Sequence, residues 1–161
     1  MLTNSSTTQA PDLHWQFYTK QGNEQMQSGL YIQANKSYLA ALELAEIIIC
    51  NAKHNKAPVE MIHLYVVSCH NLANCFLKLG NYAEAEQCLL DAYQTTDDIM
   101  EDENLLMEAR STGYQGFQIS FMQLSDFYGS TGQKQKLVNL IESSKAKALE
   151  FLALVKKDMN F

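Results

Sequence analysis

The chain has 161 residues, 47% of them hydrophobic, and a formal charge of −6. That composition can build a core, which excludes broad disorder, and a chain of this size hides roughly 70% of the surface its unfolded form exposes. The acidic balance speaks against nucleic acid, whose binding needs a basic face to release counterions, and against an anionic membrane surface.

Only two prolines and seven glycines interrupt the chain, and alternating strand patterns are absent. An all-α fold is therefore expected, as one domain over residues 11–158 preceded by a polar, disordered tail over residues 1–10. Pro11 and Asp12 suit a first helical turn, where proline lacks the amide that would be orphaned and a carboxylate meets the positive helix end. The first helix runs to about Gln27 and closes at Gly29. The second carries Ala34, Tyr38, Ala41, Ala45 and Ile48 on one face and fades over residues 51–56. Pro58 starts the third, whose stripe is Ile62, Tyr65, Val66, Cys69, Leu72, Ala73 and Phe76; three-and-four spacing marks one side of an α-helix. Gly80 ends it.

A fourth helix spans about Asn81 to Thr96, with Tyr82, Ala85, Leu89 and Ala92 facing inward. The acidic and polar residues from Asp97 to Asn104 then read as a connector whose carboxylates could cap the next helix. The fifth helix holds Leu105, Leu106, Ala109, Phe117, Phe121, Leu124 and Tyr128. Gly113 and Gly116 lie inside it at about 1 kcal/mol each against alanine, and whether the helix breaks or kinks there is left open. Gly132 closes it. The sixth runs from about Lys134 to Lys156 with Leu137, Ile141, Ala148, Leu152 and Val155 as its inner stripe. Three helical hairpins result, over about 12–53, 58–97 and 102–157.

The hairpins share a register. Gly29, Gly80 and Gly132 lie 51 and 52 residues apart. Seven residues before each stands Gly22, Ala73 or Ser125; five after stands Ala34, Ala85 or Leu137; Tyr38, Leu89 and Ile141 follow, then Ala41, Ala92 and Ser144. One such hairpin cannot bury its apolar face alone, so stacking of the three is expected.

These residues resemble the tetratricopeptide repeats. The middle hairpin matches through Cys69, Leu72, Ala73, Phe76, Gly80, Tyr82, Ala85, Leu89 and Ala92. The first matches through Tyr18, Gly22, Gly29, Tyr31, Ala34, Tyr38 and Ala41 but departs at Gln21 and Gln25, where apolar residues are usual. The third keeps Phe121, Leu124, Ser125 and Tyr128, while Lys134, Leu137 and Ser144 replace the tyrosine and both alanines. The period exceeds the family's usual one of about 34 residues, as in its longer-helix variety.

The resemblance implies a right-handed α-solenoid of three stacked antiparallel helix pairs, a protein-interaction module that holds a peptide or partner protein in a concave groove. Mapped by resemblance, that groove takes Thr19, Lys20, Asn23, Met26 and Gln27 from the first hairpin. The second supplies Val67, His70, Asn71, Asn74, Leu77 and Lys78; the third, Met122, Gln123 and Asp126. Asn23 and Asn74 resemble the family's clamp on a ligand backbone, since an amide both donates and accepts; ordinary solvated side chains are the plain alternative. The family's two-carboxylate clamp is not expected, because Ile119, Met122, Gln123 and Asp126 stand where basic residues are needed.

No enzyme and no cofactor are expected. His63 and His70 share a helical face, with Cys69 adjacent, but Cys69 belongs to the inner stripe, and a lone pair on a long helix is usually structural. The acidic run lacks the glycine and spacing of a calcium loop. Cys50, Cys69, Cys75 and Cys88 form no C-x-x-C, and a reducing cytoplasm is the expected setting. The first ten residues have neither the basic start nor the apolar run of a secretory signal, and no apolar run is long enough to cross a bilayer. The last helix is apolar on more than one side, so pairing with a second copy is a further expectation. A chaperone-like subunit of one dedicated partner is the alternative to an adaptor.

Overall fold

A computed structural model describes residues 9–55 and 59–160. Among these residues the regular structure is helical, with no strand. The long helices are α1 (Gln9–Gln27), α2 (Tyr31–Asn55), α3 (Ile62–Lys78), α4 (Tyr82–Glu101), α5 (Met107–Ser130) and α6 (Lys134–Met159), with one 3₁₀ turn at Val59–Met61. The polar tail assigned to residues 1–10 lies outside the described residues up to residue 8; Gln9 and Ala10 already belong to α1. The helix start assigned to Pro58 also lies outside them.

Gly29, Gly80 and Gly132 occupy equivalent bends. Each has a positive φ, of 72°, 76° and 72°, a region open to glycine at no steric cost. Around each, two amides turn back onto the preceding helix. Gly29 N–H donates to Met26 O and Leu30 N–H to Gln25 O; Gly80 N–H to Leu77 O and Asn81 N–H to Phe76 O; Gly132 N–H to Gly129 O and Gln133 N–H to Tyr128 O. This paired pattern satisfies carbonyls that the helix end orphans. The next helix begins within two residues of each glycine.

The chain forms two compact units, residues 1–88 and 89–161, with the boundary inside α4. In the first unit α1 packs on α2 and α2 on α3. Its core holds Ala34, Tyr38, Ala41, Ala45 and Ile48 from α2, and Tyr65, Val66, Cys69, Leu72 and Ala73 from α3. Three polar ties run through it. Trp15 Nε1–H donates to Ser68 Oγ at 2.7 Å, and Ser68 Oγ–H donates to Leu64 O. Ser37 Oγ lies 3.1 Å from Gln21 Oε1 and 2.8 Å from Gln25 Oε1, so the two glutamines that break the apolar pattern face a buried hydroxyl. The Cys75 thiol donates to Tyr31 O at 3.2 Å, and burial pushes its pKa up, which keeps it a donor.

In the second unit α5 packs on α6. α5 is one unbroken helix, which decides against a break near Gly113 and Gly116. Gly113 instead serves a close approach: a Cβ there would stand 2.8 Å from Ile99 Cγ2 and 2.9 Å from Met100 N of α4. Three corrections follow. The residues from Asp97 to Glu101 belong to α4, not to the connector, and Asp97 is buried. α5 starts at Met107 after Leu106, which is exposed, as is Tyr82 at the start of α4. Both sit at a helix entry, where the side chain is open to solvent. Finally, α6 is rotated from its expected face. Its buried residues are Leu140, Ser144 and Phe151, while Ile141 and Leu152 are 45% and 47% exposed.

Candidate functional site

Three contacts set the rotation of α6, all from residues at Ser144, Lys147 and Phe151, spaced three and four apart on one face. Ser144 Oγ lies 2.8 Å from Tyr93 Oη of α4, both buried. Lys147 Nζ donates to Asp97 Oδ2 at 2.6 Å and to Glu101 Oε1 at 2.9 Å. The Phe151 ring stacks on Tyr114 with centroids 5.0 Å apart, and the Arg110 guanidinium sits 5.9 Å over it. An inward polar and aromatic edge leaves the aliphatic residues one step further round, about 100° away, facing out.

Two concavities flank this edge. The first, about 290 Å³, is lined by Arg110, Lys147, Glu101, Glu103, Glu150 and Phe151, among others. Its cations are already employed. Lys147 serves two carboxylates, and Arg110 Nε–H donates to Met100 O at 2.9 Å while stacking on Phe151. Arg110 thereby caps the C-terminal end of α4, where a cation is favoured. This cleft reads as a structural tie.

The second, about 390 Å³, lies between α5 and α6 and is mostly apolar. Phe117, Phe121 and Met122 form its α5 wall; Ile141, Lys145 and Ala148 form its α6 wall. Its rims are exposed: Met122 is 63% accessible on α5 and Ile141 45% on α6. Lys145 is its one ionisable ammonium and makes no ion pair among the described residues. The trough is thus apolar, with a single charged side chain in its lining.

The residues mapped by resemblance fall as follows. Lys20, Asn23 and Gln27 of α1 are exposed and Thr19 and Met26 half-buried; Asn23 Oδ1 accepts from Tyr38 Oη at 2.7 Å, so its carbonyl already has a partner. On α3, Val67, Asn74 and Lys78 are exposed and His70, Asn71 and Leu77 half-buried, with Asn74 Nδ2 3.0 Å from His70 Nε2. Met122, Gln123 and Asp126 lie on α5 in the second unit. Met122 alone of the fourteen lines the α5–α6 trough. Its other wall was missed because it is the misassigned face of α6; the eleven-residue spacing of Lys134, Lys145 and Lys156, all exposed, marks that side of the helix. Among the described residues no three His, Cys, Asp or Glu side chains gather as a metal-ligand set. Cys69, Cys75 and Cys88 are buried thiols outside any disulfide, and Cys50 is an exposed one. No described helix is long and apolar enough to cross a membrane.

No curated protein and no solved structure matches the chain. A family profile described as "Protein of unknown function (DUF2753)" matches residues 13–156. That span takes in all of α2 to α5 and most of α1 and α6, so the chain belongs to the DUF2753 family.

Proposed function

We propose that this protein is a helical protein-interaction module that holds a segment of a partner protein on its surface and performs no chemistry of its own. The observation that carries this reading is the apolar trough between α5 and α6, open to solvent and rimmed by exposed Met122 and Ile141, with exposed Leu149 further round α6. Exposed apolar surface of this kind, with a polar surround, marks interaction sites. The resemblance to tetratricopeptide repeats, with the right-handed solenoid it implies, belongs to the same reading and is supported by the three equivalent glycine bends. Free thiols suit a reducing cytoplasm.

A dedicated assembly subunit is the second reading. It draws on the exposed aliphatic residues from Val138 to Leu154, which extend well beyond the trough. The test is a photo-crosslinking amino acid placed at Met122, at Leu149 and, as a control, at exposed Asp98, in the protein's own cells. The proposal predicts the same adduct from Met122 and Leu149 and none from Asp98. Adducts of equal pattern from all three positions, or from none, contradict it. An adduct that also survives purification as a stoichiometric complex selects the assembly subunit over the adaptor.

A further inference from the structure

The outward face of α6 carries a pattern that the inner face does not explain. Lys134, Lys145 and Lys156 are eleven residues apart, and all three are exposed. Four and seven residues after Lys134 come Val138 and Ile141; four and seven after Lys145 come Leu149 and Leu152. Eleven residues make three helical turns to within about 20°, so this repeat keeps to one side of the helix. Each of the four aliphatic residues is between 45% and 59% exposed. The helix as a whole holds six lysines against two glutamates and one aspartate, a surplus of three positive charges in a chain whose net charge is −6. Glu142, at the edge of the stripe, is its one nearby acid. The centre of the stripe, at Ile141 and Lys145, is also the α6 wall of the apolar trough.

Resting on the partner-docking reading above, we infer that this stripe and the trough beside it take an amphipathic helix of a partner protein whose contact face alternates aliphatic residues with carboxylates about eleven residues apart. The charge pattern decides among occupants. Two copies of α6 paired about a two-fold axis with their repeats in step set lysine against lysine, whether parallel or antiparallel, and like charges on an apolar seam are costly. A lipid surface fits poorly as well. Membrane-surface helices carry lysines on the polar face, away from the apolar one, whereas Lys145 and Lys156 stand in the middle of this stripe, where they would be pushed toward the acyl boundary. A facing carboxylate at the same interval meets each lysine and leaves the aliphatic residues to pack.

The probe is a synthetic fluorescent helical peptide with leucines and glutamates at that spacing, set against a twin with lysine for each glutamate, titrated into the full-length protein at low salt. The glutamate peptide is expected to bind at least about tenfold more tightly than its twin. Lys145→Glu, on an exposed position that leaves the fold intact by circular dichroism, is expected to reverse that order. Equal affinity for the two peptides, or binding of neither, overturns the inference. So does self-association in sedimentation that Leu149→Glu abolishes, which makes a second copy the occupant. Partition onto vesicles of phosphatidylcholine and phosphatidylglycerol that Lys145→Glu abolishes also overturns it, in favour of a membrane. Where photo-crosslinking from Met122 and Leu149 captures a partner but neither peptide binds, the acidic-helix inference fails and partner docking stands; where no crosslink forms, both fail.

Discussion

The Lys147 ammonium lies 2.6 Å from the Asp97 carboxylate, fifty residues away in the chain and 2% exposed. Its second bond, to Glu101, reaches an exposed acid. Asp97 Oδ1 has no hydrogen-bond partner among the described residues, so Lys147 carries most of the compensation for a buried charge. Removing it strands that charge. Lys147→Met is expected to cost about 2–3 kcal/mol in urea unfolding, below the usual range for a broken buried pair because Lys147 keeps 30% of its surface in water. Asp97→Asn in the same background is expected to recover part of the loss.

The pair also fixes a sign for pH dependence. Burial pushes the Asp97 carboxyl above its ordinary 3.8, and Lys147 offsets that only in part. The folded state therefore holds this proton more tightly than the unfolded chain does. The contribution is complete below 3.8 and is lost as pH rises through the higher folded value. Lys147 has the same sign. Burial pulls its pKa down, but the bonds to Asp97 and Glu101 more than reverse this, and it ends above its ordinary 10.5. Its contribution is complete below 10.5 and is lost as pH rises through the folded value. Urea midpoints of wild type and Asp97→Asn, compared from about pH 3 to about pH 7, are expected to show the wild type losing ground as pH rises. A widening wild-type advantage would contradict this.

Two helical glycines are expected to respond oppositely to alanine. At Gly113 the new methyl meets Met100 N of the α4 backbone at 2.9 Å, an atom that cannot move aside. The substitution is expected to lose about 1–3 kcal/mol, more than the helix propensity it gains. Gly129, also in α5, has nothing within 4 Å of its added Cβ. There alanine is expected to gain roughly 0.5–1 kcal/mol. Thermal melts of both variants check the pair.

In the first unit Trp15 and Ser68 are expected to be coupled. Ser68→Ala leaves the half-buried indole N–H without its acceptor, at about 1 kcal/mol. A double-mutant cycle with Trp15→Phe is expected to return a coupling of about 0.5–1.5 kcal/mol. Additive losses would show that the 2.7 Å contact contributes nothing beyond packing.

Local chemistry is what the sequence made legible. A glycine in the left-handed region after an amphipathic stripe ends a helix wherever it stands, so Gly29, Gly80 and Gly132 could be read without tertiary knowledge. The apolar stripes of α2 and α3 were equally plain, because their aliphatic faces are also their buried faces. α6 breaks that rule. Its rotation depends on Tyr93, Asp97 and Tyr114, each at least 37 residues away in the chain, and a polar anchor is invisible to a reading that counts hydrophobic residues. Gly113 could not be decided for a similar reason: helix propensity weighs a glycine against its own helix, while this one answers to the backbone of α4. Of the site, only Met122 was placed; the wall opposite it sits on the misassigned face.

The account rests most on which side of α6 faces solvent. Single cysteines at Ile141, Leu149 and Leu152, and at Leu140 and Phe151, placed in a Cys50→Ser background, can be labelled with a thiol reagent under native conditions. The first three are predicted to react rapidly and the last two only on global unfolding. Rapid labelling at Leu140 and Phe151 with protection at Ile141 and Leu152 would turn the lysine-bearing stripe inward and contradict the account.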